Sequence, residues 1–147
     1  MAKEKTEPTK VEIAKQKGDL LRGTIDETLR DDTKECFGED DLQLLKFHGS
    51  YQQDDRDLRK QRRAEGLGKA YSYMLRICLP AGQVTNAQYI DLDRMADEFA
   101  NGTIRITTRQ AIQYHGVLKG ELRETIRQIN AALMLSLIHI SEPTRPY

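Results

Sequence analysis

The chain has 147 residues, which leaves room for one modest domain. Lys and Arg number 23, as do Asp and Glu, so no net field attracts nucleic acid or a membrane surface, and any anion site must be local. Trp is absent and aromatic residues make up 6%, which argues against a large aromatic core.

Neither end of the chain carries a recognisable targeting or membrane segment. The first ten residues, MAKEKTEPTK, are charged and lack the apolar stretch of a secretory signal. The longest apolar run, Leu133 to Ile140, is interrupted by Ser136 and His139 and is too short to span a bilayer. We therefore expect a soluble, cytoplasmic protein with no membrane or nucleic-acid partner.

The N-terminal third shows little regular pattern. Met1 to about Asp19 is rich in Lys and Glu, which predicts a flexible lead-in. Asp26 to Asp41 mixes acidic residues and shows no clean period, so it predicts an irregular segment with one short helix. We assign residues 1–45 to a flexible N-terminal arm.

A dense group of hydrogen-bonding side chains follows the arm. Phe47 to Asp57, FHGSYQQDDRD, predicts a polar site, although the favoured role of His48 is that of a structural hydrogen-bonding partner. Asp54 to Gly66 is densely charged, and a nucleic-acid patch is one interpretation of it. Its interleaved acidic residues favour a solvated helix face or loop instead.

The segment from Ala70 onwards has the periodicity of a folded domain. Apolar side chains alternate through Tyr71–Leu79, which predicts a strand. Thr85 or Asn86 can cap a following helix, which ends at Asn101-Gly102. The apolar side chains at three- and four-residue steps in this helix are Leu92, Met95, Ala96 and Phe99.

Two more strands and a second helix complete the predicted domain. Residues 103–108 and 111–118 have strand patterns, and a helix follows Gly120. The apolar side chains in register on that helix are Leu122, Ile126, Ile129 and Leu133. The order strand–helix–strand–strand–helix predicts an α+β fold with the helices on one face of a sheet.

Polar side chains are predicted to share the other face of this sheet. Alternation points Arg105, Thr107 and Arg109 the same way, and Gln113 and His115 share a face of the next strand. The side chains expected to face the helices are Leu75, Ile77, Ile104 and Ile106. One guanidinium group can donate two parallel hydrogen bonds to one carboxylate, so this face could hold a planar anion. The alternative, which pattern alone favours, is the ordinary wet face of an antiparallel sheet.

Five motifs in order resemble those of the assimilatory sulfite reductase hemoproteins. They are LRGTI, FHGSYQQDDRD, LRICLPAG, IRITTRQAIQYHG and a closing helix, between about Leu21 and about Ala132. The resemblance implies a ferredoxin-like half-domain and an enzyme that uses siroheme and a [4Fe-4S] cluster to reduce sulfite to sulfide. It also implies an electron donor, either a flavoprotein subunit or a ferredoxin, with the redox work done by the cofactors.

Functional residues are implied by the same resemblance. Arg76 matches an arginine that binds the substrate anion beside the heme iron, and Thr108 stands where some relatives carry Asn. The residues that match positions lining or packed near siroheme are Gln52, Gln53, Arg105, Thr107, Thr108, Arg109, Gln113 and His115.

The two cysteines, Cys36 and Cys78, are isolated and have no metal-ligand spacing. A buried or idle thiol is the favoured role. The resemblance places the cluster ligands near the far end of a longer chain. Two cysteines cannot replace the four thiolates of a [4Fe-4S] cluster, so we expect no metal ligands in this chain.

The resemblance stops after Ala132. Leu135 to Arg145, LSLIHISEPTR, resembles the translation of a sequencing-library adapter, so His139 is attributed to chance. We assign residues 46–134 to the half-domain and 135–147 to a non-native tail, and we expect the chain to be inactive alone. A nitrite reductase of the same superfamily and a non-enzymatic anion-binding module remain as alternatives.

Overall fold

A computed structural model of the chain describes residues 7–132. The elements in this range are α1 (Lys10–Lys17), α2 (Ile25–Arg30), α3 (Glu39–Phe47), β1 (Ser50–Asp54), α4 (Arg59–Ala64), β2 (Tyr71–Ile77), α5 (Asn86–Phe99), β3 (Arg105–Ile106), β4 (Ile112–Val117) and α6 (Leu122–Ala131). Single 3₁₀ turns lie at Pro80–Gly82 and Lys119–Glu121. Within the described range, every helix is too short or too polar to traverse a lipid bilayer. The predicted tail and the register position of Leu133 lie outside the described residues.

The four strands form one antiparallel sheet in the order β1-β2-β4-β3. The predicted order strand–helix–strand–strand–helix is confirmed by β2, α5, β3, β4 and α6. The central strand β2 buries Tyr73, Leu75 and Ile77, as its alternation predicted. The other members of the main core cluster are Phe37, Leu45, Leu92, Met95, Ala96, Ile112, Tyr114, Val117, Leu122 and Ile129.

Helix α5 begins and ends where its sequence predicted. Thr85 accepts a hydrogen bond from the backbone N–H of Gln88, and the Gln88 side chain accepts one from the Thr85 backbone. This reciprocal capping box satisfies two backbone donors that the helix itself cannot pair. At the other end, Gly102 has φ +73° and its N–H donates to the Ala96 carbonyl at 2.9 Å. A positive φ is easily adopted by glycine because it has no Cβ.

The N-terminal segment is more regular than predicted, since it contains α1, α2 and α3. Thr9 and Glu12 form a capping box at the start of α1, a signature visible in the sequence as Thr-x-x-Glu. Phe37 and Leu45 enter the same core as the sheet. Asp41 is buried and accepts hydrogen bonds from the backbone N–H and hydroxyl of Thr24, which joins the start of α2 to α3.

Strand β1 was not predicted, because its core-facing positions Ser50 and Gln52 are polar and give no apolar alternation. Strand β3 has two residues instead of the six predicted. Its ladder ends at Thr107, whose hydroxyl accepts from the Ala111 N–H at 3.1 Å as the chain turns. Ile106 was expected to face the helices, but it is 81% exposed on this short edge strand.

The charged segment after β1 forms α4, which has no buried residue. Arg59 makes a salt bridge with Asp54 at 2.7 Å. A solvated helix face or loop was the favoured prediction for this segment, and the structure has a solvated helix.

Candidate functional site

A polar surface covers the sheet face that α5 and α6 leave open. Strand alternation directs Tyr73, Leu75, Ile112 and Tyr114 into the core, so their neighbours along the strands lie on the opposite face. The residues of this open face that take part in the site are Tyr51, Gln53, Arg76, Arg105, Gln113 and His115. We call these six residues the open-face cluster.

A row of three side chains crosses the sheet at the centre of the cluster. Gln113 on β4 pairs with Arg76 on β2 and with Arg105 on β3. In the amide orientation that satisfies both groups, Gln113 Oε1 accepts from Arg76 Nη2 at 3.2 Å and from Nε at 3.3 Å. Gln113 therefore holds the plane of the Arg76 guanidinium group without neutralising its charge.

His115 continues this polar chain towards β1. Its Nδ1 lies 3.2 Å from Gln53 Oε1, an acceptor, so Nδ1 carries the ring proton. Its Nε2 lies 3.4 Å from the Gln113 amide group, whose nitrogen donates to it in the orientation that also serves Arg76. Burial, with a smaller contribution from the positive charge of Arg105, lowers the pKa of His115 below its ordinary value. His115 is therefore neutral at neutral pH.

Tyr51 completes the surroundings of Arg76. The Arg76 Cζ atom lies over the Tyr51 ring, 5.4 Å from its centroid, which is within cation–π range. Sequence reasoning missed this residue, although it lies inside the FHGSYQQDDRD motif. The sequence does not show that Tyr51 lies near Arg76, because this proximity follows from the pairing of β1 with β2.

The arginines at the open face form no salt bridge within the described part of the chain. Within residues 7–132, Arg76, Arg105 and Arg109 have no carboxylate oxygen within 4.0 Å. Four of the seven salt bridges in this range join neighbours along one helix, as the bridge between Arg94 and Glu98 does. A guanidinium group without an acidic partner keeps its donors and its charge available, so an anion is stabilised at this face.

Four predicted site residues lie apart from the cluster. Gln52 is on the core face, where its Oε1 accepts from Phe37 N–H at 3.0 Å and Tyr73 O–H at 2.9 Å. Thr107, Thr108 and Arg109 belong to the turn between β3 and β4 instead of a continuous strand. Arg105, Thr107 and Arg109 were predicted to point the same way along one strand. In the structure only Arg105 lies on β3.

The remaining candidate ligands do not converge on the open face. His48 Nε2 is hydrogen-bonded to the Leu21 carbonyl at 2.8 Å, the structural role that was favoured. Cys36 and Cys78 are free, partly buried thiols. Across residues 7–132, no three side chains of His, Cys, Asp or Glu are grouped as a metal site.

A cleft of about 590 Å³ lies away from this cluster, on the helical side of the sheet. Ile25 and Leu29 of α2 form one wall, and Leu122 and Ile126 of α6 form another. Its lining also contains Asp19, Asp26 and Glu27 and a single arginine, Arg22, so acidic groups outnumber basic ones there. Charge therefore favours the open face over this cleft as a site for an anion.

Comparisons with known proteins point to one family. Residues 66–132 match the family model described as the nitrite/sulfite reductase ferredoxin-like half domain. The sulfite reductase [NADPH] hemoprotein beta-component of Anoxybacillus flavithermus is 46% identical over 94% of this chain and 24% of its own length. The protein of the same name from Myxococcus xanthus is 49% identical over 93% of this chain and 24% of its own.

A solved structure has the same fold. The Mycobacterium tuberculosis NirA protein superimposes with a TM-score of 0.68 and 22% identity, over 88% of this chain and 25% of that one. The chain thus spans about a quarter of the length of the relatives it matches. The sequence matches also cover more of the chain than the stretch from Leu21 to Ala132 that carried the resemblance.

Proposed function

Because residues 66–132 belong to the nitrite/sulfite reductase ferredoxin-like half-domain family, we propose that this chain is the N-terminal part of a siroheme sulfite reductase. Its reaction is the reduction of sulfite to sulfide. The observation that carries the proposal is the open-face cluster, where Arg76 and Arg105 flank Gln113 and have no carboxylate partner within residues 7–132.

The open face fits the periphery of siroheme in charge. The macrocycle is planar and ringed by carboxylates, and arginine is the side chain best suited to pair with carboxylates. Arg105 and the exposed Arg109 would hold this rim, with Thr107 and Thr108 beside them in the turn. Gln53, Gln113 and His115 supply polar contacts from β1 and β4. Gln52 is left out of this set, because its oxygen already serves two donors on the core face.

Arg76 has a separate role, which is to bind the substrate oxyanion. Two of its nitrogens face Gln113, and the remaining N–H groups are available to an anion. Siroheme, when bound, supplies the iron at which the oxyanion is reduced. Arg76 stabilises negative charge on the oxyanion. His115 is neutral with its proton on Nδ1, so the positive charge at this face comes from the arginines.

The iron–sulfur cluster does not fit this chain's own residues. A [4Fe-4S] cluster takes four thiolates, and the chain has two cysteines. We assign the cluster to the part of the relatives' length that this chain does not span. A flavoprotein subunit is the proposed electron donor, since the two relatives carry NADPH in their names, and a ferredoxin is the alternative.

The proposal is tested on the full-length protein that contains this chain. Arg105→Ala combined with Arg109→Ala should lower siroheme per chain, measured by absorption and iron content. The matched control is Arg62→Ala with Arg63→Ala on the exposed helix α4, which should retain full occupancy. Full siroheme occupancy in the first double variant would contradict the proposed cofactor face.

The same protein distinguishes the alternative functions. Dye-driven reduction of sulfite and nitrite should be compared side by side, because the matched family includes both kinds of reductase. Faster turnover of nitrite would make the protein a nitrite reductase. Oxyanion binding without siroheme absorption would instead identify an anion-binding module.

A further inference from the structure

We infer that Tyr51 is a positioning residue that holds the guanidinium group of Arg76 in place for an oxyanion. This inference rests on the proposed function, because it takes Arg76 as the residue that binds the substrate. The Arg76 Cζ atom lies 5.4 Å from the centroid of the Tyr51 ring. At this distance the ring attracts the cation through its electron-rich face.

The sheet geometry explains why this pair forms. Tyr51 is opposite Met74 in the register, so it lies diagonally across the ladder from Arg76. Diagonal neighbours in an antiparallel pair are within reach of aromatic and long side chains. The position beside Arg76 is Gly49, whose carbonyl accepts from the Arg76 N–H at 2.8 Å. Since Gly49 has no side chain, the guanidinium group has room to lean towards the ring.

Tyr51 and Gln113 together form a neutral clamp around Arg76. Gln113 faces Nε and Nη2 from β4, and the Tyr51 ring contacts the guanidinium group from β1. Neither partner carries a charge that would compete with an anion. A long, otherwise free arginine loses rotamer freedom on binding, at a cost of about 0.5–1.5 kcal/mol per side chain. A clamp formed before the anion arrives has already met that cost.

The test separates the aromatic ring from the hydroxyl group. Tyr51→Phe keeps the ring and Tyr51→Leu removes it, so only the leucine variant should release Arg76. The readout is the Arg76 Nε–Hε signal in the NMR spectrum of the 147-residue chain, assigned by its loss in Arg76→Lys. We expect this signal to be shifted by the ring current in the original chain and in Tyr51→Phe. In Tyr51→Leu the signal should remain but lose that shift.

Sulfite titration of the same samples under anaerobic conditions measures the consequence for binding. We expect Tyr51→Leu to raise the Kd for sulfite about two- to twelvefold and Tyr51→Phe to leave it within about twofold. An unshifted Arg76 signal in the original chain, or equal signals and affinities in all three proteins, would overturn the inference. If Tyr51→Leu does not fold, nuclear Overhauser contacts between the Tyr51 ring and the Arg76 side chain in the original chain decide it.

Failure of the proposed function gives a different result. A chain that shows the ring-current shift, loses it in Tyr51→Leu and binds no sulfite would have the clamp but not the proposed ligand. That outcome supports the contact between Tyr51 and Arg76 and counts against sulfite as its purpose.

Discussion

Gln52 and Gln53 are neighbours in the chain, but their side chains lie on opposite faces of the sheet. Gln52 accepts hydrogen bonds from Phe37 and Tyr73 beneath the sheet, while Gln53 accepts one from His115 on the open face. A strand turns successive side chains to opposite sides, so two identical residues acquire different roles. The first is part of the protein's internal structure, and the second is part of the candidate site.

We therefore predict unequal effects from the two alanine substitutions. Gln52→Ala should reduce the free energy of unfolding by about 1–3 kcal/mol, because two donors lose their acceptor. Gln53→Ala should change it by less than about 0.5 kcal/mol, since the residue is exposed. Urea unfolding of both variants measures the difference. Equal losses would mean that Gln52 is not held on the core face.

The lowered pKa of His115 predicts a pH dependence of stability. Below a pH of about 6.5, histidine in the unfolded chain takes up a proton that His115 resists in the fold. The contribution of His115 to the free energy of unfolding is therefore fully present above about pH 6.5. It is lost as the pH falls towards the pKa of His115 in the folded chain. Urea unfolding across this range should show a smaller acid-side loss in His115→Gln. An unchanged profile in that variant would assign the loss to other groups.

Arg105 contributes to this shift through its charge. Arg105→Gln should raise the pKa of His115 towards its ordinary value, because one of the two causes of the lowering is removed. NMR titration of the His115 ring protons measures the change. Arg109→Gln is the control, since Arg109 lies in the turn and should have less effect. Identical titration midpoints for the original chain and Arg105→Gln would show that burial alone is responsible.

Loss of the Arg76 side chain should weaken sulfite binding more than loss of any exposed arginine on α4. A hydrogen bond to a charged group is worth about 1.5–3 kcal/mol, so Arg76→Ala should raise the Kd for sulfite by about ten- to 150-fold. Calorimetric or NMR titration of the chain tests this. Arg63→Ala is the matched control, and comparable weakening in both variants would indicate nonspecific attraction by net charge.

Gly23 should tolerate no side chain, whereas Gly68 should accept one. Gly23 has φ +52°, and an added Cβ would lie 2.3 Å from Asp41 Oδ1 and 2.6 Å from Leu44 Cδ1. Gly23→Ala should therefore destabilise the chain by about 1–3 kcal/mol. Gly68→Ala meets nothing within 4 Å and should be close to neutral. Thermal melts of the two variants measure the contrast, and similar melting temperatures would contradict the close approach of Gly23 to Asp41 and Leu44 of α3.

The sequence by itself determined the order of the domain's elements and the face on which its core lies. The alternation of Tyr73, Leu75 and Ile77 predicted the buried side of β2, and Thr85 predicted the start of α5. These features are local, because the spacing of apolar side chains along one strand or helix indicates which of its sides is buried. The five motifs also predicted the family resemblance that the family model then matched over residues 66–132, since the order of motifs along the chain can be read without a structure.

Only the tertiary structure decided which polar residues meet. Strand β1 carries no apolar alternation, so its pairing with β2 was invisible, and with it the separation of Gln52 from Gln53. The contact of Tyr51 with Arg76 depends on that pairing, which places the two residues diagonally across the ladder. The length of β3 was decided by the turn at Thr107. The partner of a polar side chain depends on the register between strands that are distant in sequence. The spacing of residues within a single strand does not determine that register.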